Sequence, residues 1–204
     1  ATKIAGPSGG WFRAAVRGGR TSLDRHNVEQ AIDASLVRLG TDYVDLYQTH
    51  WPDPDLPTEA VMEALDRAVQ AGKVRYVGCS NESAYGLTKS LWASDRAGLV
   101  RYETIQNNFS LLNRRFEDEL ANFCRREKLS LLAYSPLAGG VLSGKYAGGA
   151  FPDGARFSAY RKDAVRGAVM TPPRGRLRHR LAARARLPRA GVAAGPCGAR
   201  WACR

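Results

Sequence analysis

Ser35-Leu-Val-Arg-Leu-Gly-Thr-Asp-Tyr-Val-Asp-Leu-Tyr-Gln-Thr-His-Trp51 reads as the end of a helix, a stop and a strand. Leading into it, Val28, Ala31, Ile32, Leu36 and Leu39 recur at the three- and four-residue spacing that gathers apolar side chains on one helical face. Gly40 stands where a left-handed residue ends such a helix. Tyr43 to Thr49 is β-branched and aromatic, too short for a helix, and runs into a loop holding Pro52, Pro54 and Pro57. It is therefore expected to be a strand ending at His50.

The same alternation continues downstream. A helix is expected from about Thr58 to Ala71, stopped by Gly72, then a strand Val74–Cys79 and a helix from about Ser83 to Ala97, stopped by Gly98. A strand Thr104–Gln106, a helix from about Arg114 to Lys128 and a strand Leu129–Tyr134 complete the series. Strands starting near residues 43, 74, 104 and 129 are spaced by roughly a strand plus a crossover helix. Repeated units of this kind imply an α/β fold with a parallel sheet, either open and doubly wound or part of a (β/α)8 barrel.

The net charge of +12 is unevenly placed. Up to Gly154 the chain carries 18 Lys/Arg and 18 Asp/Glu, whereas residues 155–204 carry 13 and 1. The body is thus neutral, and any charge-driven attraction to nucleic acid belongs to the tail alone. Beyond Ala164 the sequence turns to Arg, Ala, Gly and Pro, as in Arg174-Gly-Arg-Leu-Arg-His-Arg180, with no period of 2 or 3.6. A disordered tail is expected there. The working division is 1–160 for the folded body and 161–204 for the tail.

Cys79, Cys124, Cys197 and Cys203 lack the short spacing that lets two thiolates share a zinc ion, so they are read as free thiols with no metal site. No apolar run approaches the roughly 20 residues of a membrane helix, and residues 1–20 lack a signal-peptide core. A cytoplasmic protein without membrane partners is expected.

Three further segments join the opening stretch in order and spacing: Gly72-Lys-Val-Arg-Tyr-Val-Gly-Cys-Ser-Asn81, Ile105-Gln-Asn-Asn-Phe-Ser-Leu-Leu-Asn-Arg114 and Leu132-Ala-Tyr-Ser-Pro-Leu-Ala-Gly-Gly-Val-Leu-Ser-Gly-Lys-Tyr146. Together they resemble the aldo-keto reductase family, in the branch that includes potassium-channel β subunits and related bacterial reductases. The resemblance covers roughly residues 1–160. It implies a partial (β/α)8 barrel, about strands 3 to 7 with their helices, and NADP(H) bound at the carboxyl ends of the strands. The implied activity is reduction of an aldehyde or ketone, a small-molecule carbonyl substrate, to an alcohol. A cofactor-binding regulatory protein like the channel subunits is the alternative, and self-association into a homo-oligomer stays open.

Carbonyl reduction needs a hydride and a proton for the developing alkoxide, so a preorganised acid must sit near the carbonyl oxygen. The family uses a Tyr acid supported by a Lys, an Asp and a His. The resemblance makes Lys3 that lysine and His50 the histidine that orients the carbonyl. Ser80, Asn81 and Gln106 match the residues that bind the nicotinamide carboxamide, and Tyr134 the aromatic that stacks on its ring. Ser135, Leu137, Gly139 and Lys145 match the loop around the pyrophosphate. Gly139 to Lys145 also satisfies part of a P-loop, but Tyr146 stands where Ser or Thr must hold magnesium, which argues against an NTPase.

On this resemblance the first two barrel strands, with the family's Asp and proton-donating Tyr, fall ahead of Ala1. The adenosine-phosphate segment that should follow Arg161 is replaced by the basic tail, for which an out-of-frame origin is expected. An incomplete member with impaired activity follows from this reading.

Overall fold

The computed structural model describes residues 1–7 and 22–161. The chain divides into two compact units. The first spans Ala1–Phe109 and Arg114–Tyr134, and the second takes Ser110–Asn113 and the chain from Ser135 on. The expected basic tail, with Cys197 and Cys203, lies outside the described residues.

The first unit alternates strand and helix throughout. Its strands are β1 (Thr2–Ile4), β2 (Val44–Thr49), β3 (Val74–Ser80), β4 (Tyr102–Asn108) and β5 (Ser130–Tyr134). Its helices are α1 (Arg25–Leu39), α2 (Thr58–Gln70), α3 (Ala84–Ala97) and α4 (Leu120–Arg126). The strands form one sheet in the order β1-β2-β3-β4-β5, every pair parallel. This is the α/β arrangement of a partial (β/α)8 barrel.

Local chemistry sets the helix ends. Asp24 caps α1, its carboxylate accepting from the His26 and Asn27 amides, and Gly40 ends it at φ 63°. Ser83 caps α3 by accepting from the Gly86 amide. The helices bury Val28 and Ile32 of α1, Met62 and Leu65 of α2, and Leu87 and Leu91 of α3. These meet Ile4, Tyr47, Val77, Cys79 and Ile105 of the sheet in one core.

Two elements differ from the sequence reading. The strand expected at Thr104–Gln106 runs from Tyr102 to Asn108, because Asn107 and Asn108 pair with Ala133 and Tyr134 of β5 despite their low strand propensity. The helix expected from Arg114 to Lys128 is broken. A 3-10 turn, Arg115–Glu117, precedes α4, and Glu119 between them leaves helical geometry at φ −130°, ψ −51°. Phe116 and Cys124, on either side of the break, are both buried.

The second unit has a 3-10 segment at Ala138–Ser143, interrupted by left-handed Gly139 and Gly140, and a short helix α5 (Arg156–Arg161). The Tyr146 ring packs against Phe151 and Phe157, and the Tyr146 hydroxyl accepts a hydrogen bond from the Phe157 amide. No helix among the described residues is long and apolar enough to cross a membrane.

Candidate active site

The strand register separates two sheet faces. Ile4, Thr49, Cys79, Ile105 and Leu131 lie level with one another, and the first four of them are buried. Side chains alternate along a strand, so the neighbouring levels face the opposite way. One holds Lys3, Gln48, Gly78 and Thr104, and the next, towards the carboxyl ends, holds Ser80, Gln106 and Leu132. Tyr134 lies two residues further along, level with Asn108. The expected residues of the first unit thus come to one end of one sheet.

Lys3 and His50 occupy adjacent strand tips. The His50 amide donates to the Ile4 carbonyl at 2.8 Å, extending the β1–β2 ladder by one residue. Burial pulls the Lys3 ammonium below its usual range. Burial, and then the Lys3 charge, pull the His50 imidazole below its ordinary value. A histidine so held is neutral at pH 7 and presents one ring N–H donor and one acceptor. Its ring stacks beside Trp51 with centroids 5.7 Å apart.

Asn81 sits just past β3 in the left-handed region at φ 57°. That conformation breaks the strand's alternation, and Asn is among the few side chains that adopt it readily. Its Nδ2 donates to the His50 carbonyl at 2.9 Å and to Ser80 Oγ at 3.2 Å. Its Oδ1 accepts from the Tyr134 hydroxyl at 2.9 Å, and its amide donates to the Gln106 carbonyl at 3.0 Å. Ser80 is buried and donates to the same Gln106 carbonyl at 2.7 Å. Burial raises the Tyr134 phenol, so it stays protonated and a donor.

Three contributors escaped the sequence reading. Gln48 is buried on the site's face and its amide donates to Thr104 Oγ1 at 3.4 Å. Gly78 lies between them: a Cβ there would overlap Thr104 Oγ1 and stand 3.0 Å from the Thr104 carbonyl oxygen. An isolated glycine inside a strand signals such a close approach and was available in the sequence. Glu82 is the third, half-buried beyond Asn81. Burial raises its carboxyl, opposed by hydrogen bonds from the Ser83 amide and hydroxyl.

The other expected residues fall in the second unit. Ser135 at φ 54°, Leu137 and Gly139 at φ 68° belong to a tightly turned segment. A Cβ on Gly140 would lie 2.5 Å from Lys145 Cε and 2.9 Å from Nζ, so the lysine head folds back over a turn that glycine keeps open. The segment is not a P-loop, since a 3-10 turn at Ala147–Gly149 follows Lys145 rather than a helix. Backbone glycines beside an ammonium suit a phosphate, and the polar tips with the Tyr134 ring suit a carboxamide-bearing aromatic. Each donor set, taken by itself, fits one part of a nicotinamide dinucleotide: the first unit's tips the carboxamide ring, the second unit's turn a phosphate.

Comparison with known proteins identifies the family of the chain. The pattern described as "Aldo/keto reductase family" matches residues 1–164. "Protein tas" of Escherichia coli strain K12 is 42% identical over 181 residues, covering 79% of this chain and 51% of that protein. "Aldo-keto reductase" of Babesia bovis is 34% identical over 175 residues, covering 72% and 60%. "Versiconal hemiacetal acetate reductase" of Aspergillus parasiticus is 36% identical over 128 residues, covering 63% and 37%. The chain spans about half the length of the first of these relatives.

Proposed function

Because the chain belongs to the aldo/keto reductase family, a family of oxidoreductases, we propose that it contributes one side of an NADP(H) pocket for reducing a small-molecule aldehyde or ketone. The observation that carries this reading is the hydrogen-bonded group at the strand tips, Ser80, Asn81, Gln106 and Tyr134, beside Lys3 and His50.

In this reading the cofactor, when bound, supplies the hydride. Gln106, with the acceptor lone pairs that Ser80 Oγ and Asn81 Oδ1 still offer, holds its carboxamide, and the Tyr134 ring carries its aromatic face, fixing which side of the ring meets the substrate. Ser135, Leu137, Gly139 and Lys145 hold the pyrophosphate, the lysine by charge and the glycine by exposing backbone. His50, kept neutral by burial and Lys3, donates its ring N–H to the carbonyl oxygen and orients it. Lys3 stabilises the ionised form of the acid that gives up the proton. That acid, by resemblance, is a tyrosine on a strand preceding β1.

The test is titration of the 204-residue chain with NADPH, followed by quenching of tryptophan emission. Saturable quenching that weakens in Gln106→Ala and Lys145→Ala is expected. Absence of quenching, or quenching in both variants as strong as in the wild type, refutes the reading.

A further inference from the structure

We infer that Asn81 is a positioning residue for His50, a strut that holds the histidine's peptide against the tip of β5 through the Tyr134 hydroxyl. The inference deepens the reading above and rests on it for what His50 does. The strut itself rests on geometry alone.

The β2–β3 ladder ends at the pair Thr49–Cys79, so the His50 carbonyl is the first beyond it. Past that point the chain enters the proline-rich loop, where no strand among the described residues sets its direction. The His50 amide is anchored to β1 through Ile4. The Asn81 Nδ2 reaches the carbonyl from the other side at 2.9 Å. The two anchors lie on opposite flanks of one peptide-bonded residue, and together they fix the backbone from which its imidazole projects.

Asn81 can do this only because it is left-handed, a conformation that turns its amide back across the strand ends. The amide's orientation is determined by chemistry. Exchanging Oδ1 and Nδ2 would set two oxygens face to face at His50 and leave the Tyr134 hydroxyl without an acceptor. Both Nδ2 hydrogens are engaged, on His50 and Ser80, and Tyr134 fixes the far end. Tyr134 thus has a use for its hydroxyl that a stacking ring does not require.

The experiment uses the 204-residue chain without cofactor and reads the imidazole carbon-bound proton signals by NMR, with His50 assigned by its loss in His50→Gln. Asn81→Gly keeps the left-handed backbone and removes the strut. Tyr134→Phe keeps the ring and removes the far anchor. Expected are displaced and broadened His50 signals in Asn81→Gly, a smaller displacement in Tyr134→Phe, and unchanged His26 signals in both. Should Asn81→Gly fail to fold, Tyr134→Phe decides the matter alone. Unmoved His50 signals, even with lower thermal stability, overturn the inference by reducing Asn81 to a structural tie. Failure of NADPH to quench the wild-type chain would remove the pocket reading while leaving the His50 signals to report on the strut.

Discussion

Gly78 is the position where one methyl group tests the packing of the site most directly. It lies inside β3, level with Gln48 and Thr104 on its neighbours. A Cβ built there overlaps Thr104 Oγ1, stands 3.0 Å from the Thr104 carbonyl oxygen and 3.3 Å from Gln48 Cγ. Gly78→Ala should gain about 0.4–1 kcal/mol by restricting the unfolded chain. It should lose about 1–3 kcal/mol to overpacking, since the β-branched Thr104 is stiff and its carbonyl belongs to the ladder. A net loss of about 1–2 kcal/mol is expected. Thr104→Ala deletes the overlapping atom and a long hydrogen bond from Gln48, costing about 1 kcal/mol. In the Thr104→Ala background the methyl meets only the carbonyl and Gln48, so its cost should fall by about 1 kcal/mol or more. Urea unfolding of the four chains of this cycle measures the coupling, with a common slope confirming that compactness is unchanged. Costs that add within about 0.5 kcal/mol would refute the close-approach account.

Two further outcomes follow from the same geometry. The folded His50 pKa lies below its ordinary 6.5, so below that pH the unfolded chain binds the extra proton first. The stability linked to His50 is complete above 6.5 and is lost as pH falls through the lowered folded value. His50→Gln should flatten the wild-type decline over that interval, measured as melting temperature against pH, and an unchanged decline would assign it to other groups. Gly140→Ala, at φ 96° and against Lys145, should displace the lysine head. NADPH affinity should then fall about as far as in Lys145→Ala, with little added loss in the double variant. Additive losses would show that the glycine and the lysine act independently.

Much of the fold was legible because it is written in local chemistry. The apolar spacing from Val28 to Leu39, the stop at Gly40 and the β-branched run before His50 concern residues within a few positions of one another. Short-range sterics and periodicity suffice to read them. The placement of His50, Ser80 and Tyr134 at strand ends followed from the same grammar, whereas Lys3 was placed by resemblance and Gln106 lies two residues inside β4. The true length of β4 was not legible, because Asn107 and Asn108 take strand geometry only when β5 lies beside them. Nor was the break at Glu119 between the two buried side chains Phe116 and Cys124.

The amino-acid order by itself determined the βα alternation, the helix stops and the roster of polar residues at strand tips, since each depends on neighbours along the chain. Tertiary structure alone decided that Asn81 turns left-handed to join His50 with Tyr134, and that Gly78 must stay bare where Gln48 meets Thr104. Those contacts join residues 31 to 56 positions apart. Their energy exists only after the sheet has paired, and the entropy of closing such loops is repaid by contacts that no local pattern encodes.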